Sequence, residues 1–134
     1  MFSRGAVNVW DIVDLSFYTD ADCALSTKIA LSPATANFIS SGYYPASTYR
    51  PESAFDNSSN TLWGGRRNGE YFWLGYESGP SAVVKCITIN QSEGHIQNGF
   101  TIQGKQGGGE WIDLYAVEGA ATASISLLPV SAAW

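Results

Sequence analysis

Throughout its length the chain alternates short runs of β-branched and aromatic residues with clusters of Gly, Asn, Ser and Pro. That rhythm restricts it to folds built from many short strands. The stretch 7–18 (VNVWDIVDLSFY) nearly alternates, with Val9, Asp11 and Val13 on one side and Trp10, Ile12 and Asp14 on the other. Further strands are predicted over 27–31, 72–76, 82–90 (AVVKCITIN), 100–104, 110–117, 121–128 and 130–134. Between 100–104 and 110–117 lies Lys105-Gln106-Gly107-Gly108-Gly109, which reads as a hairpin loop because glycine supplies the positive φ such turns require. One short helical turn is expected at 51–55, with Pro51 near its start. Many short strands spaced by turn residues define an all-β sandwich or barrel. With no internal repeat or linker, residues 1–134 read as one domain.

Composition narrows the function. A chain that is 45% hydrophobic and 14% charged buries a core rather than remaining disordered. Its formal net charge of −5 lacks the basic surface that nucleic acid requires and offers no polybasic contact to anionic lipid. No apolar window reaches the length of a membrane span, and Asp11 and Asp14 interrupt any secretory leader after Met1. Membrane insertion is not expected. The two cysteines, Cys23 and Cys86, allow one intramolecular pairing and lack zinc-site spacing. A disulfide is the expectation and two buried free thiols the alternative; the disulfide would suit an extracellular or cell-surface setting. The single histidine, His95, and the absence of G-x-S-x-G leave no nucleophile–base pair, so no enzyme is expected.

The most informative segment is 51–63, PESAFDNSSNTLW. Here Asp56, the carbonyls of a tight turn and Thr61 are the oxygen set a calcium ion takes. The competing interpretation is an Asx-turn in which Asp56 bonds its own backbone, and composition alone favours it.

This string resembles the signature of discoidin domains, the coagulation factor V/VIII type C class, in which P-E-x-A-F-D-G precedes a Thr and then a Trp two residues later. Here Ala54-Phe55-Asp56-Asn57 is followed by Thr61 and Trp63 at that spacing, with Asn57 in the Gly place. Tyr71-Phe72-Trp73-Leu74-Gly75-Tyr76-Glu77 and Val84-Lys85-Cys86-Ile87-Thr88-Ile89 look like the two strands that follow in the family. Phe100-Thr101-Ile102-Gln103, a glycine loop and Trp111 are similar to its F-x-I-Q-x-S-x-D-G-x-x-W, although Gly107-Gly108-Gly109-Glu110 replaces the usual loop.

The resemblance implies a jelly-roll β-sandwich of the galactose-binding-like type, related to many carbohydrate-binding modules, with Trp63, Trp73 and Trp111 in the core. It also implies a structural calcium site: the Asp56 carboxylate, the Thr61 hydroxyl and carbonyl, and the carbonyls of Ser53 and Ser58. The family completes that site with a Glu on its last strand. The matching pattern occurs here at the other end, in Trp10-Asp11-Ile12-Val13-Asp14-Leu15-Ser16-Phe17-Tyr18. The implied domain is circularly permuted, its N-terminal strand replacing the usual last one and Asp14 replacing the Glu. A strand exchanged between copies, or belonging to a preceding repeat, is the alternative.

Ligand contacts are expected in apical loops. Tyr43, Tyr44 and Tyr49 offer faces for sugar stacking, or else roof the core. Arg66, Arg67 and Asn68 offer paired donors in a glycine-flanked loop. Galactose-binding relatives use His and Arg in such loops at no fixed positions, so His95 joins the set by residue type. The expected function is lectin-like recognition of glycans or glycoproteins. Assembly with copies of itself or within a parent multidomain protein is the alternative, suggested by the apolar tail of Ile125, Leu127, Leu128, Val130 and Trp134.

Overall fold

The computed structural model describes residues 2–3, 9–45, 47–77, 82–92, 94–97, 99–105, 109–117 and 124–127. The chain forms two antiparallel sheets in an all-β sandwich. In chain order the strands are β1 (Phe2–Ser3), β2 (Trp10–Tyr18), β3 (Asn37–Ser40), β4 (Trp63–Gly65), β5 (Phe72–Glu77), β6 (Cys86–Gln91), β7 (Phe100–Gly104), β8 (Ile112–Val117) and β9 (Ser124–Leu127). One sheet runs β3-β5-β1-β7-β8 and the other β4-β2-β6-β9.

Two-residue periodicity builds the core. Trp10, Ile12 and Leu15 on β2, Trp63 on β4, and Ile87 and Ile89 on β6 face Phe72 and Leu74 on β5 and Phe100 and Ile102 on β7. Trp10 sits amid this layer, its ring centroid 6.0 Å from that of Trp63, 6.3 Å from Phe72 and 5.7 Å from Phe100. The short 3₁₀ turn Pro51–Ala54 starts on its proline and carries Phe55 into the same core.

The strand of 100–104 falls where the sequence places it, and that expected over 72–76 runs one residue further, to Glu77. Elsewhere the boundaries move for identifiable reasons. Segment 27–31 forms no strand: Leu25–Thr27 is a 3₁₀ turn, and only Lys28 and Ile29 come alongside β2. The β6 ladder begins at Cys86 rather than 82 because its partner β2 ends at Tyr18. Of the predicted 121–128 strand, Ser124–Leu127 pairs with β6; residues 7–8 and 130–134 lie outside the described residues. Strand β4 contains two glycines, which ordinarily weaken a strand. At Gly65 the glycine is required, since a Cβ would stand 2.6 Å from the Trp63 ring and 2.7 Å from the Trp10 carbonyl oxygen.

The simple alternation read for β2 breaks at a β-bulge. Ile12 pairs with Gln91 and Asp14 with Asn90, so Val13 is an extra residue on β2. Asp14 therefore shares a face with Asp11, not with Trp10 and Ile12. Trp111 also departs from its expected core position: it precedes the β8 ladder, is 38% exposed, and lies under the Lys105 ammonium, 4.9 Å from the ring centroid. Trp73 is half-buried, alternating outward between Phe72 and Leu74. Cys23 and Cys86 are joined by a disulfide with Cα atoms 5.3 Å apart, tying the turn after β2 to the start of β6.

Candidate functional site

The outer face of the four-stranded sheet carries the polar groups. On one side β2 is paired along its length by β6. On the other side its neighbours are partial: Gly64 and Gly65 accompany Trp10 and Asp11, while Lys28 and Ile29 accompany Phe17 and Tyr18. Between these two partners a cleft of about 400 Å³ opens beside the bulge. The sheet contributes Val13, Asp14, Thr88, Ile89 and Asn90 to its lining, and the loops contribute Lys28, Asn57, Ser58 and Ser59.

Its charges are arranged as a pair across the cleft. One Asp14 carboxylate oxygen accepts from the Ser16 hydroxyl at 2.6 Å, and the other lies 3.9 Å from the Lys28 ammonium. Lys28 also donates to the Asn57 side-chain carbonyl. Asn57 occupies left-handed backbone at φ 61°, a conformation that Asn adopts more readily than most residues. The lining thus combines an acceptor-only carboxylate, a donor-only ammonium, two amides and several hydroxyls.

Of the expected calcium ligands, Ser53, Asp56, Ser58 and Thr61 are brought together in one turn. Asp56 accepts from the Ser58 N–H at 2.9 Å and from the Thr61 hydroxyl at 2.5 Å. The Thr61 hydroxyl also lies 3.4 Å from the Ser53 carbonyl oxygen. This is an Asx-turn closed by a hydroxyl. Asp14 faces the adjoining Asn57–Ser58 across the Lys28 ammonium. Among the described residues no three His, Cys, Asp or Glu side chains gather as a metal-binding group.

The aromatic candidates collect at the β4 end of the same sheet. Tyr43 bridges to Gly65, and the Tyr44 N–H donates to the Gly64 carbonyl at 3.0 Å. The Arg66 guanidinium lies over the Tyr44 ring, 5.3 Å from its centroid. Tyr49 rests on Gly64, where a Cβ would meet its ring at 2.9 Å. Tyr43 and Tyr49 are exposed rather than roofing the core. Arg67 and Asn68 are exposed in the turn joining β4 to β5. His95 is held against Asp11, Nδ1 to Oδ2 at 2.6 Å, while its carbonyl accepts the Asp11 N–H.

Sequence reasoning missed Asp11, Lys28, Asn57, Ser59, Thr88 and Asn90. Asp11 carried a signal, a carboxylate alternating against core residues, but the bulge hid its kinship with Asp14. Lys28 reaches the cleft through a turn that the disulfide fixes, which no local pattern announces. Comparison with protein-family models, with curated proteins and with solved structures returned no match. The fold and site define the class: an all-β, disulfide-bonded domain with a polar cleft on one sheet. Among the described residues no helix is long and apolar enough to cross a membrane.

Proposed function

We propose that this chain is a non-catalytic, lectin-like carbohydrate-binding domain that works outside the cell. The observation that carries the proposal is the chemistry of the cleft. Each hydroxyl of a saccharide both donates and accepts, and Asp14, Lys28, Asn57 and Asn90 offer both roles within one cavity. Its volume lies within the roughly 300–1,000 Å³ of small-ligand sites. Exposed Tyr43 and Tyr49 and the Tyr44–Arg66 pair add apolar and cationic surface to the same sheet's β4 end. The disulfide supports an oxidising compartment. The discoidin-like motifs support a jelly-roll ancestry, with β2 in the place of that family's last strand.

The test is a glycan array followed by calorimetric titration of the best ligand. Asn90→Ala and Asp14→Asn are each expected to weaken binding by about tenfold, the effect of losing one or two hydrogen bonds to the ligand. A blank array from folded protein would sink the proposal. The outcome would then favour the assembly reading, for which the exposed Trp111 and Ile112 at the start of edge strand β8 are the surface, with light scattering as its measure.

Calcium enters the proposal as a competitor of the turn's own hydrogen bonds. A bound ion would share Asp56 with the Ser58 amide and the Thr61 hydroxyl, beside an ammonium that already supplies positive charge. Thermal melts in millimolar calcium and in EDTA are expected to coincide. A calcium-dependent rise in Tm, abolished by Asp56→Asn, would instead establish the ion as a structural component.

A further inference from the structure

We propose that the ligand is a neutral oligosaccharide chain lying along β2, from the cleft to the Tyr49 ring, rather than a single terminal sugar. This rests on the carbohydrate reading and adds the form of the ligand to it.

Asp11 and Gly64 are directly opposed in an antiparallel ladder, so their Cβ directions share a face. The Gly64 direction leads straight into the Tyr49 ring. Tyr49 therefore lies beside Asp11 on the outer face, opposite to the core side taken by Trp10 and Ile12. It is 39% exposed, an aromatic surface with water on it and a glycine beneath. A larger residue at 64 would lift the ring away, its Cβ standing 2.9 Å from the ring's Cγ and 3.0 Å from its Cβ. Beside the ring, the largely buried Asp11 carboxylate holds the half-exposed His95 imidazole, and the pair offers a polar contact.

The bulge then repeats this arrangement further along. Because Val13 is the extra residue, Asp14 emerges on the face of Asp11, opposite Asn90 and at the mouth of the cleft. Because the bulged residue adds no length to the ladder, the two carboxylates stand two partner residues apart, about 7 Å along the strand, more than one pyranose ring spans. One face thus holds two stations: an aromatic surface with a carboxylate, then a cavity with a carboxylate, an amide and an ammonium. A single sugar fills one of them; a chain fills both.

The charges favour a neutral chain. Each station carries one carboxylate with one basic neighbour, His95 at Asp11 and Lys28 at Asp14. The further cation at the β4 end, Arg66, lies over the Tyr44 ring rather than against either carboxylate.

The test uses the whole chain and cello-, manno-, xylo- and galacto-oligosaccharides from monosaccharide to hexasaccharide, titrated by calorimetry. In the series that binds, affinity is expected to rise about tenfold or more between monosaccharide and tetrasaccharide. Tyr49→Ala, and Gly64→Ala by displacing the ring, are expected to collapse that ratio towards one, whereas Tyr49→Phe keeps it. Circular dichroism confirms that each variant is folded. If monosaccharide and tetrasaccharide bind alike, or Tyr49→Ala preserves the ratio, the extended site is overturned while the carbohydrate reading stands. If no series binds and the array is also blank, both are overturned. If only acidic oligosaccharides bind, the neutral assignment is overturned.

Discussion

Loss of the Cys23–Cys86 disulfide is expected to destabilise the domain by about 4 kcal/mol in the chain-entropy account. The two cysteines are 63 residues apart, so the bond closes a long loop in the unfolded chain and removes much of its freedom. The measurement is urea unfolding followed by tryptophan fluorescence, comparing the oxidised protein with the Cys23→Ala/Cys86→Ala variant. A free-energy difference below about 1 kcal/mol would mean that the unfolded chain is already constrained over that loop. The same bond has a local consequence. It anchors the turn from which Leu25–Thr27 leads to Lys28, so the variant should lose ligand affinity as well as stability.

Trp10→Ala is expected to remove about 3–5 kcal/mol, the upper range for a core substitution. Trp10 is fully buried and packs against Trp63, Phe72 and Phe100, where the two sheets meet. Its indole N–H donates to the Gln91 side-chain carbonyl at 2.6 Å, and that oxygen also accepts the Gln97 N–H at 2.9 Å. Gln91 is itself 2% exposed. Truncation therefore leaves a cavity and weakens a buried polar junction at once. Trp10→Phe separates the two effects: it keeps most of the apolar contact and gives up the hydrogen bond, for a loss of about 1–3 kcal/mol. Denaturant midpoints of the three proteins give the ordering; equal losses for Ala and Phe would show that the junction, not the packing, dominates.

How much of this was legible in the sequence depends on the length scale of the signal. Phe100–Gly104 alternates cleanly, FTIQG with Phe100 and Ile102 inward, and no other force overrides it. The Pro51–Ala54 turn likewise follows from a proline whose fixed φ suits its first position. Trp63–Gly65 was invisible because the glycines that argue against a strand are demanded by tertiary contacts with Trp10, Trp63 and Tyr49. Asn37–Ser40 is a four-residue edge strand whose partner, β5, supplies the pattern that it lacks. The candidate site was half legible for the same reason. Tyr49, Asp14 and Ser58 announce themselves by type, but what brings them together is long-range: a bulge, a disulfide and a gap beside one strand.

The extra residue at Val13 acts as a phase shifter. Up to Ile12 the strand writes its core residues at even numbers, and from Leu15 onward at odd ones. Without that half-step the Asp14 carboxylate would point into the hydrocarbon layer, where an unpaired charge is prohibitively expensive, and Leu15 would point into water. One inserted residue thus sets both the continuity of the interior and the address of the face proposed to take the ligand. A change of specificity in such a scaffold need not alter any contacting side chain; sliding the insertion along β2 would present a different set of residues to the same cleft.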